Sequence, residues 1–249
     1  MKALILAAGE GKRLRPLTYA IPKPLLPVAG IPTIEYVIRN LEAVPEITEI
    51  YVGISHLEDN IKKYFANRTF RVPVKTVHTE CLETGGDLKI LAKAANVSET
   101  FFACNGDNIT EINLSEALKL HKEKKAKGTV VLFKVPKEDV SRFGIGKVES
   151  NGMVSKFIEK PSLESAPSQL AHTGYAILEP ETIDMIPEGS SRVEKVVFEK
   201  LAEQKKLYAY VSNPPHWIDI GTYESYLEAN KIILQKKGII PPPGIKNNG

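Results

Sequence analysis

The stretch of sequence that decides the fold is Ala3-Leu4-Ile5-Leu6-Ala7-Ala8-Gly9-Glu10-Gly11-Lys12-Arg13-Leu14-Arg15-Pro16-Leu17-Thr18. Its apolar start, residues 3–8, lacks polar alternation and predicts a strand buried on both faces, typical of the first strand of a parallel α/β sheet. Gly9 and Gly11 leave space for backbone amides to approach a phosphate chain. Four cations follow within fifteen residues of Gly9, and they are Lys12, Arg13, Arg15 and Lys23. We therefore predict a loop that holds several negative charges.

Other kinds of phosphate loop fit this stretch less well. A dinucleotide-binding loop needs a third glycine where this chain has Leu14, and Pro16 disfavours a helical Arg15. That fold also places an acidic residue after the second strand, where Ile54-Ser55-His56 stands here. A Walker-type loop requires Gly-Lys-Ser/Thr, which is missing. A solvated basic turn, in which the glycines only supply positive φ, stays open, although cations confined between prolines disfavour it.

The loop and the segments after it resemble the signature of the sugar-1-phosphate nucleotidyltransferases, also called NDP-sugar pyrophosphorylases. The resemblance rests on residues 9–18, on Pro22-Lys23-Pro24-Leu25 and on Pro27-Val28-Ala29-Gly30, and it extends over about residues 1–235. It implies one nucleotidyltransferase domain over residues 1–237. Residues 238–249 are rich in Pro, Asn and Gly and predict a flexible C-terminal tail.

Composition limits the partners and the compartment. The 249 residues include 33 basic and 30 acidic side chains, and the net charge of +3 is too balanced to predict a nucleic-acid or membrane surface. Cys81 and Cys104 have neither metal-ligand nor disulfide spacing, as expected of reduced thiols in a cytosolic protein. The sequence contains no signal-peptide pattern and no apolar run of about eighteen residues. We expect a cytoplasmic protein and leave a homo-oligomer open.

Hydrophobic periodicity predicts an α/β fold with a doubly wound, mostly parallel, Rossmann-like sheet and ligands at the carboxyl ends of its strands. Predicted strands cover residues 3–8, 47–54, 72–78, 100–104 and 129–135, and predicted helices cover residues 34–41, 57–66, 88–95, 114–126, 193–205 and 223–236. Thr33 is expected to cap the first of these helices. Short strands at residues 144–149, 153–158 and 171–178 predict a smaller inserted antiparallel lobe for the sugar.

Joining a sugar phosphate to a nucleotide requires a phosphate oxygen to attack the α-phosphorus of an NTP, with pyrophosphate leaving in line. The attacking oxygen is already anionic, so the protein must bring two anions together and neutralise charge. Mg²⁺ prefers one or two carboxylates together with phosphates and water. The resemblance assigns these metal ligands to Asp107, after Asn105-Gly106, and to Asp219, within Trp217-Ile218-Asp219-Ile220-Gly221-Thr222. A cap or turn aspartate is the alternative for each.

The resemblance also implies a nucleotide site. Arg13 is expected on the β- and γ-phosphates, and Lys23, fixed between two prolines, is expected to bridge the reacting phosphates. With Asp107 and Lys160 these are the predicted catalytic residues. The predicted nucleotide-binding set is Leu6, Ala7, Ala8, Gly9, Gly11, Lys12, Arg13, His78, Thr84, Gly85 and Asp107. Leu82-Glu83-Thr84-Gly85-Gly86 departs from the Leu-Gly-Thr-Ala-Gly of many relatives, so the base stays open.

Glu159-Lys160-Pro161 resembles the family's sugar site, in which the glutamate accepts hydrogen bonds from sugar hydroxyls and the lysine meets the sugar phosphate. An exposed ion pair before a turn is the alternative. The predicted sugar-phosphate-binding set is Lys23, Gly144, Glu159, Lys160, Thr173 and Gly174. Phe143 and His172 replace residues expected beside the sugar, often Tyr and Asn, and Trp217 is expected in the core. Ser190-Ser191-Arg192-Val193-Glu194-Lys195 resembles the guanylyl- and thymidylyltransferase versions about equally.

The sequence therefore predicts a Mg²⁺-dependent transferase that makes an NDP-sugar and pyrophosphate from an NTP and a hexose-1-phosphate, with glucose-1-phosphate or mannose-1-phosphate first. An N-acetylhexosamine or heptose phosphate stays open as acceptor. A catalytically silent regulatory subunit is a second hypothesis, which the presence of Arg13, Lys23, Asp107 and Asp219 disfavours. A nucleotide-sugar-dependent glycosyltransferase is a third, and it would normally carry Asp-x-Asp in place of Asn105-Gly106-Asp107.

Overall fold

The computed structural model describes residues 1–214 and 216–239. The strands are β1 Lys2–Leu6, β2 Pro27–Val28, β3 Ile31–Pro32, β4 Glu49–Ile54, β5 Val74–His78, β6 Phe101–Asn105, β7 Asn108–Thr110, β8 Gly128–Lys134, β9 Gly144–Val148, β10 Val154–Glu159, β11 Leu170–Leu178, β12 Leu207–Val211 and β13 Trp217–Asp219. The helices are α1 Leu17–Ala20, α2 Thr33–Glu42, α3 Glu58–Ala66, α4 Glu83–Ala94, α5 Leu114–Lys124, α6 Lys200–Glu203 and α7 Tyr223–Lys236. A π-helical segment, Glu194–Glu199, runs directly into α6.

A central sheet of nine described strands organises the chain. β1 lies between β4 and β6, and all three are parallel, with Ile5 beside Val52 on one side and Cys104 on the other. β5 continues the parallel part next to β4. The order of strands therefore reverses at β1, and the loops after β1 and β6 meet at the switch point where open α/β sheets bind ligands. This arrangement confirms the predicted Rossmann-like fold.

The antiparallel strands extend this sheet. β11 pairs antiparallel with β6, β8 and β9, and β10 pairs with β9, so the predicted antiparallel region is continuous with the parallel part. β11 contacts β9 at Ala171 and β6 from Tyr175 onward. Its register with β8 shifts between His172 and Ala176, around Gly174 at φ 87°. Glycine adopts this positive φ without strain, which lets one strand serve both parts of the sheet.

Both faces of β1 are covered, as its apolar run predicts. Ala3 and Ile5 pack with Ile34 of α2 on one face, and Leu4 packs with Leu88 of α4 on the other. All five side chains are fully buried. Burial of one large aliphatic side chain contributes about 1.5–3 kcal/mol, so packing on both faces fixes where β1 ends and its loop begins.

Some helix boundaries differ from the predictions. Thr33 is the first residue of α2 rather than its cap, because its hydroxyl donates to the carbonyl of Leu26 at 2.9 Å. α4 begins at Glu83 rather than at residue 88, and the Asp87 carboxylate accepts the N–H of Leu82 at 3.0 Å across that first turn. The predicted helix over residues 193–205 is the π-helical segment followed by α6.

The predicted strand ranges do not include β2, β3, β7, β12 or β13, and all of these except β12 have only two or three residues, too few to show periodicity. The helix predicted over residues 223–236 is confirmed as α7, which Thr222 and Ser225 open with a capping box. Most of the predicted tail, residues 240–249, lies outside the described residues. Within residues 1–214 and 216–239, no helix is both long and apolar enough to cross a membrane.

Candidate active site

Two cavities adjoin at the carboxyl ends of β1 and β6. One, of about 580 Å³, is lined by the loop after β1, and we call it the glycine-loop cavity. The other, of about 410 Å³, is lined by Glu159 and Glu194, and we call it the glutamate cavity. The residues that line both are Glu83, Thr84, Asn105 and Asp107. Two ligands bound side by side would therefore meet at a shared wall.

The residues predicted to bind a nucleotide mostly line the glycine-loop cavity. They are Leu6, Ala7, Ala8, Gly9, Gly11, Lys12, Arg13, Thr84 and Asp107, and Lys23 is beside them. A Cβ added at Gly9 would meet no atom within 4 Å, so this backbone faces open space. Gly11 has φ 64°, and its Cβ would lie 2.9 Å from Thr18, so the turn requires glycine.

Two of the loop cations are directed at the shared end of the cavity. Lys23 Nζ lies 2.6 Å from Asp107 Oδ2, and only 14% of the lysine side chain is exposed. The Arg13 guanidinium lies against Gly221, where a Cβ would approach its Nη2 to 3.0 Å. Arg13 has no ion-pair partner among the residues that the structure describes. Its charge is therefore available to an anion.

The other two loop cations share one acidic partner. Lys12 lies 3.3 Å and Arg15 lies 2.8 Å from the carboxylate of Glu10. Arg15 also covers the ring of Tyr19 at 5.1 Å and does not line the glycine-loop cavity. Of the four cations in the motif, three therefore face the cavity.

The pairing of β7 with β13 brings Asp107 and Asp219 together from positions more than a hundred residues apart. Asp219 is the register partner of Asn108, and the N–H of Ile220 donates to the carbonyl of Asp107 at 3.1 Å. Asp219 Oδ1 accepts the N–H of Gly221 at 3.2 Å. Both aspartates line the glutamate cavity, and Asp107 also lines the glycine-loop cavity.

Most of the predicted sugar residues line the glutamate cavity, namely Gly144, Glu159, Lys160 and Gly174. Only 9% of the Glu159 side chain is exposed, and Lys160 Nζ lies 3.7 Å from its carboxylate. Burial, followed by the charge of Glu194, raises the pKa of Glu159. A Cβ at Gly144 would lie 2.6 Å from the ring of Phe157 and 3.0 Å from Glu159, so this wall requires glycine.

Residues 2–236 match the family described as nucleotidyl transferase. The chain belongs to this family. It is 35% identical over 266 residues to the UTP–glucose-1-phosphate uridylyltransferase of Synechocystis sp., covering 98% of this chain and 68% of that protein. It is 34% identical over 240 residues to mannose-1-phosphate guanylyltransferase 1 of Arabidopsis thaliana, covering 94% of this chain and 65% of that protein. The chain thus spans about two thirds of the length of these relatives.

The fold of this nucleotidyl transferase also agrees with solved structures. A UDP-glucose pyrophosphorylase complexed with UDP-glucose has a TM-score of 0.83 at 23% identity, covering 94% of this chain and 98% of that one. A UDP-glucose pyrophosphorylase from Acinetobacter baumanii has a TM-score of 0.81 at 23% identity, covering 94% and 93%. The predicted family and fold are both confirmed.

The structure of this nucleotidyl transferase places further residues at the glutamate cavity that the sequence did not assign to a site. They are Asn105, Asn108, Arg142, Arg192, Glu194 and Trp217, whereas Phe143 and His172, which also line this cavity, were expected beside the sugar. Glu194 is buried, and Thr84 Oγ1 donates to its Oε2 at 2.6 Å. The resemblance around residues 190–195 was the available signal for Glu194. Its contact with α4, however, needs the folded chain.

Three predicted site residues are not in the walls of either cavity. His78 is exposed at the end of edge strand β5, where it lies 2.8 Å from Glu58. Gly85 donates its N–H to the carbonyl of Ser191 at 2.7 Å, and it allows α4 to pack closely there. Thr173 is fully buried, and its hydroxyl donates to the carbonyl of Val131 at 3.0 Å.

Trp217 is half-buried rather than part of the closed core. Its Nε1 donates to the carbonyl of Thr173 at 2.9 Å, and its ring packs against Phe133 and Phe143 at centroid distances of 4.7 and 5.2 Å. The same ring lines the glutamate cavity. Trp217 therefore holds β13 in place and also presents an aromatic surface to the glutamate cavity.

Proposed function

We propose that this nucleotidyl transferase moves a nucleotidyl group from an NTP to a hexose-1-phosphate, giving an NDP-sugar and pyrophosphate. The observation that carries the proposal is the shared wall at Asp107. The glycine-loop cavity offers open backbone and the unpaired charge of Arg13, and the glutamate cavity offers buried carboxylates that can accept hydrogen bonds from hydroxyl groups. The two cavities meet at Asp107. The names of the relatives, which transfer uridylyl or guanylyl groups to sugar phosphates, support the same class of reaction.

The glycine loop would hold the triphosphate. The backbone at Gly9 faces open space, and amides in such a loop bind phosphate oxygens without a side chain in between. Arg13 would bind the β- and γ-phosphates and stabilise the charge that develops on the departing pyrophosphate. Lys12 would add a second, more solvated cation.

Two lysines would bring the reacting phosphates together. Lys23 stands at the shared wall, where its ammonium can approach the α-phosphate and the attacking phosphate oxygen. Lys160 lines the glutamate cavity and would contact the sugar phosphate. No side-chain nucleophile is needed, because the attacking oxygen is already anionic, and the rate advantage comes from positioning and electrostatics.

Asp107 and Asp219 would hold the metal ion. Two neighbouring carboxylates leave positions for phosphate oxygens and water, which suits Mg²⁺. Along the ranges 1–214 and 216–239, no group of three or more His, Cys, Asp or Glu side chains could hold a metal ion. When bound, Mg²⁺ would neutralise charge on the reacting phosphates.

The sharpest test measures pyrophosphate release from each NTP with glucose-1-phosphate, mannose-1-phosphate and N-acetylglucosamine-1-phosphate, with Mg²⁺ and with EDTA. We expect turnover with an unsubstituted hexose phosphate and loss of turnover in EDTA. Absence of turnover with every pair would favour the silent regulatory subunit. The base, the cytoplasmic location and a homo-oligomer stay predictions.

A further inference from the structure

Glu194 is an unusual residue for a cavity wall. It is 8% exposed, it opens the π-helical segment, and it lines the glutamate cavity. One carboxylate oxygen accepts the hydroxyl of Thr84 at 2.6 Å. In the described chain it has no ion-pair partner. Its second oxygen has no hydrogen-bond donor among the described residues, so it can accept a hydrogen bond from a ligand in the cavity.

The segment that carries Glu194 is anchored to α4 by hydrogen bonds. Its neighbour Val193 donates its N–H to Thr84 Oγ1 at 3.1 Å, so one hydroxyl joins the segment to α4. Arg192, which precedes Val193, forms an ion pair with Glu83 at 2.5 Å. π-helical turns are frequent at functional sites. Here the π-helical segment directs a carboxylate at the cavity.

Glu159 supplies a second buried acceptor in the same cavity. The two carboxylates affect each other, since the charge of Glu194 adds to burial in raising the pKa of Glu159. Ionised carboxylates only accept hydrogen bonds, whereas a sugar hydroxyl can donate. The glutamate cavity therefore offers acceptors to a ligand rich in hydroxyl groups.

We propose that Glu194 is a specificity-determining residue that accepts a hydrogen bond from a sugar hydroxyl. With Glu159 it selects an unsubstituted hexose-1-phosphate over an N-acetylhexosamine-1-phosphate. The acetamido group keeps an N–H donor, but it adds a bulky acetyl group whose carbonyl is an acceptor, and the buried carboxylates repel that carbonyl. The wall therefore favours the smaller hydroxyl group. This inference rests on the proposed function, because it names the sugar class of that same site.

The experiment compares wild type, Glu194→Gln and a matched control, Glu203→Gln. Glu203 is exposed on α6 and lines neither cavity. In the first variant the amide oxygen of the introduced glutamine can still accept from Thr84, so the change places an amide N–H₂ where the carboxylate met the sugar. Trp217, the single tryptophan of the sequence, lines the cavity, so its fluorescence reports sugar-phosphate binding without turnover. Titrants are mannose-1-phosphate, glucose-1-phosphate and N-acetylglucosamine-1-phosphate.

We expect wild type to bind an unsubstituted phosphate at least about tenfold more tightly than the N-acetyl compound. The E194Q variant should lose about tenfold in affinity for the unsubstituted sugar, with less loss for the N-acetyl compound and an unchanged KM for the NTP. E203Q should match wild type. If E194Q also matches wild type, if wild type prefers the N-acetyl sugar, or if no sugar phosphate changes the fluorescence, the inference is overturned. The expected binding pattern without pyrophosphate release would support the inference and contradict the proposed function.

Discussion

The two cavities differ in how they treat charge. The glycine-loop cavity exposes cations and open backbone, and its exposed pairs, such as Lys12 with Glu10, leave the charges solvated. The glutamate cavity buries two carboxylates, those of Glu159 and Glu194, and burial raises the pKa of Glu159 and lowers the pKa of His172. One cavity therefore suits a multiply charged, mobile chain of phosphates. The other suits a neutral ring that is recognised by its hydroxyl groups.

The difference also concerns how each cavity is built. The largest continuous part of the glycine-loop wall is residues 6–13, at the end of β1 and in the loop after it, so the shape of this part follows from local backbone requirements. The glutamate cavity draws on β9, β10, β11, β13 and the π-helical segment. Asp107 belongs to both, and substitution there tests whether the cavities work as one site.

The largest effect is expected at the shared carboxylates. Asp107→Asn and Asp219→Asn should each lower kcat by about a hundredfold or more, since removing one strong electrostatic stabiliser typically has that effect. Steady-state pyrophosphate release measures it, and circular dichroism checks the fold. The exposed Asp59→Asn on α3 is the control. Near-normal turnover in either site variant would remove that aspartate from the proposed metal site.

A smaller effect should separate the cations of the glycine loop. Arg13→Met removes a charge without an ion-pair partner in the described chain, so NTP affinity should fall about ten- to a hundredfold through lost charge-assisted hydrogen bonds. Lys12→Met removes an exposed charge that Glu10 already screens, so about a threefold loss is expected. Equilibrium titration of the NTP compares them. Equal losses would mean that only net charge matters.

Glycine substitutions should sharpen the claim that the loop backbone faces the ligand. Gly9→Ala meets no protein atom, so unfolding free energy should stay within about 0.5 kcal/mol while NTP affinity falls about tenfold. Gly11→Ala is strained by φ 64° and by contact with Thr18, so it should cost about 1 kcal/mol or more of stability. Urea unfolding and NTP titration are the two measurements. Unchanged NTP affinity in G9A would place the phosphates elsewhere.

The sequence predicted best what local chemistry determines. The apolar run of β1, the loop glycines and the capped helix α7 each depend on neighbours within a few residues. Asp107 and Asp219 were paired through family resemblance alone, because the contact depends on β7 and β13, which are too short to predict. The carboxylates of the glutamate cavity likewise come from separate elements.

Two of the predicted site residues that line neither cavity lie on strands. His78 and Thr173 were placed by their position in a motif, but a strand turns each side chain to one face. Thr173 faces inward to Val131, and His78 lies on an edge strand beside Glu58. Glu194 was not assigned to a site from the sequence, because its hydrogen bond with Thr84 joins two distant segments and no spacing rule predicts it.

The smallest effect tests the buried character of the glutamate cavity through stability alone. Burial lowers the pKa of His172 in the folded protein, against the weaker effect of Glu194, and its Nε2 donates to Tyr175 O at 3.1 Å. The unfolded chain then binds more protons as pH falls below about 6.5, so stability should be highest above that pH and decline toward pH 5. His172→Asn removes this titration, so the variant should lose less stability on acidification than wild type. It also removes ring packing, so the variant should be less stable at pH 7.5. Urea unfolding of wild type and variant at pH 7.5 and 5.5 measures how much stability each protein loses on acidification. His121 and His216, whose pKa values burial also lowers, contribute equally in both proteins, so their contributions cancel in the comparison. Parallel slopes would mean that His172 is solvated and that the two cavities do not differ in this way.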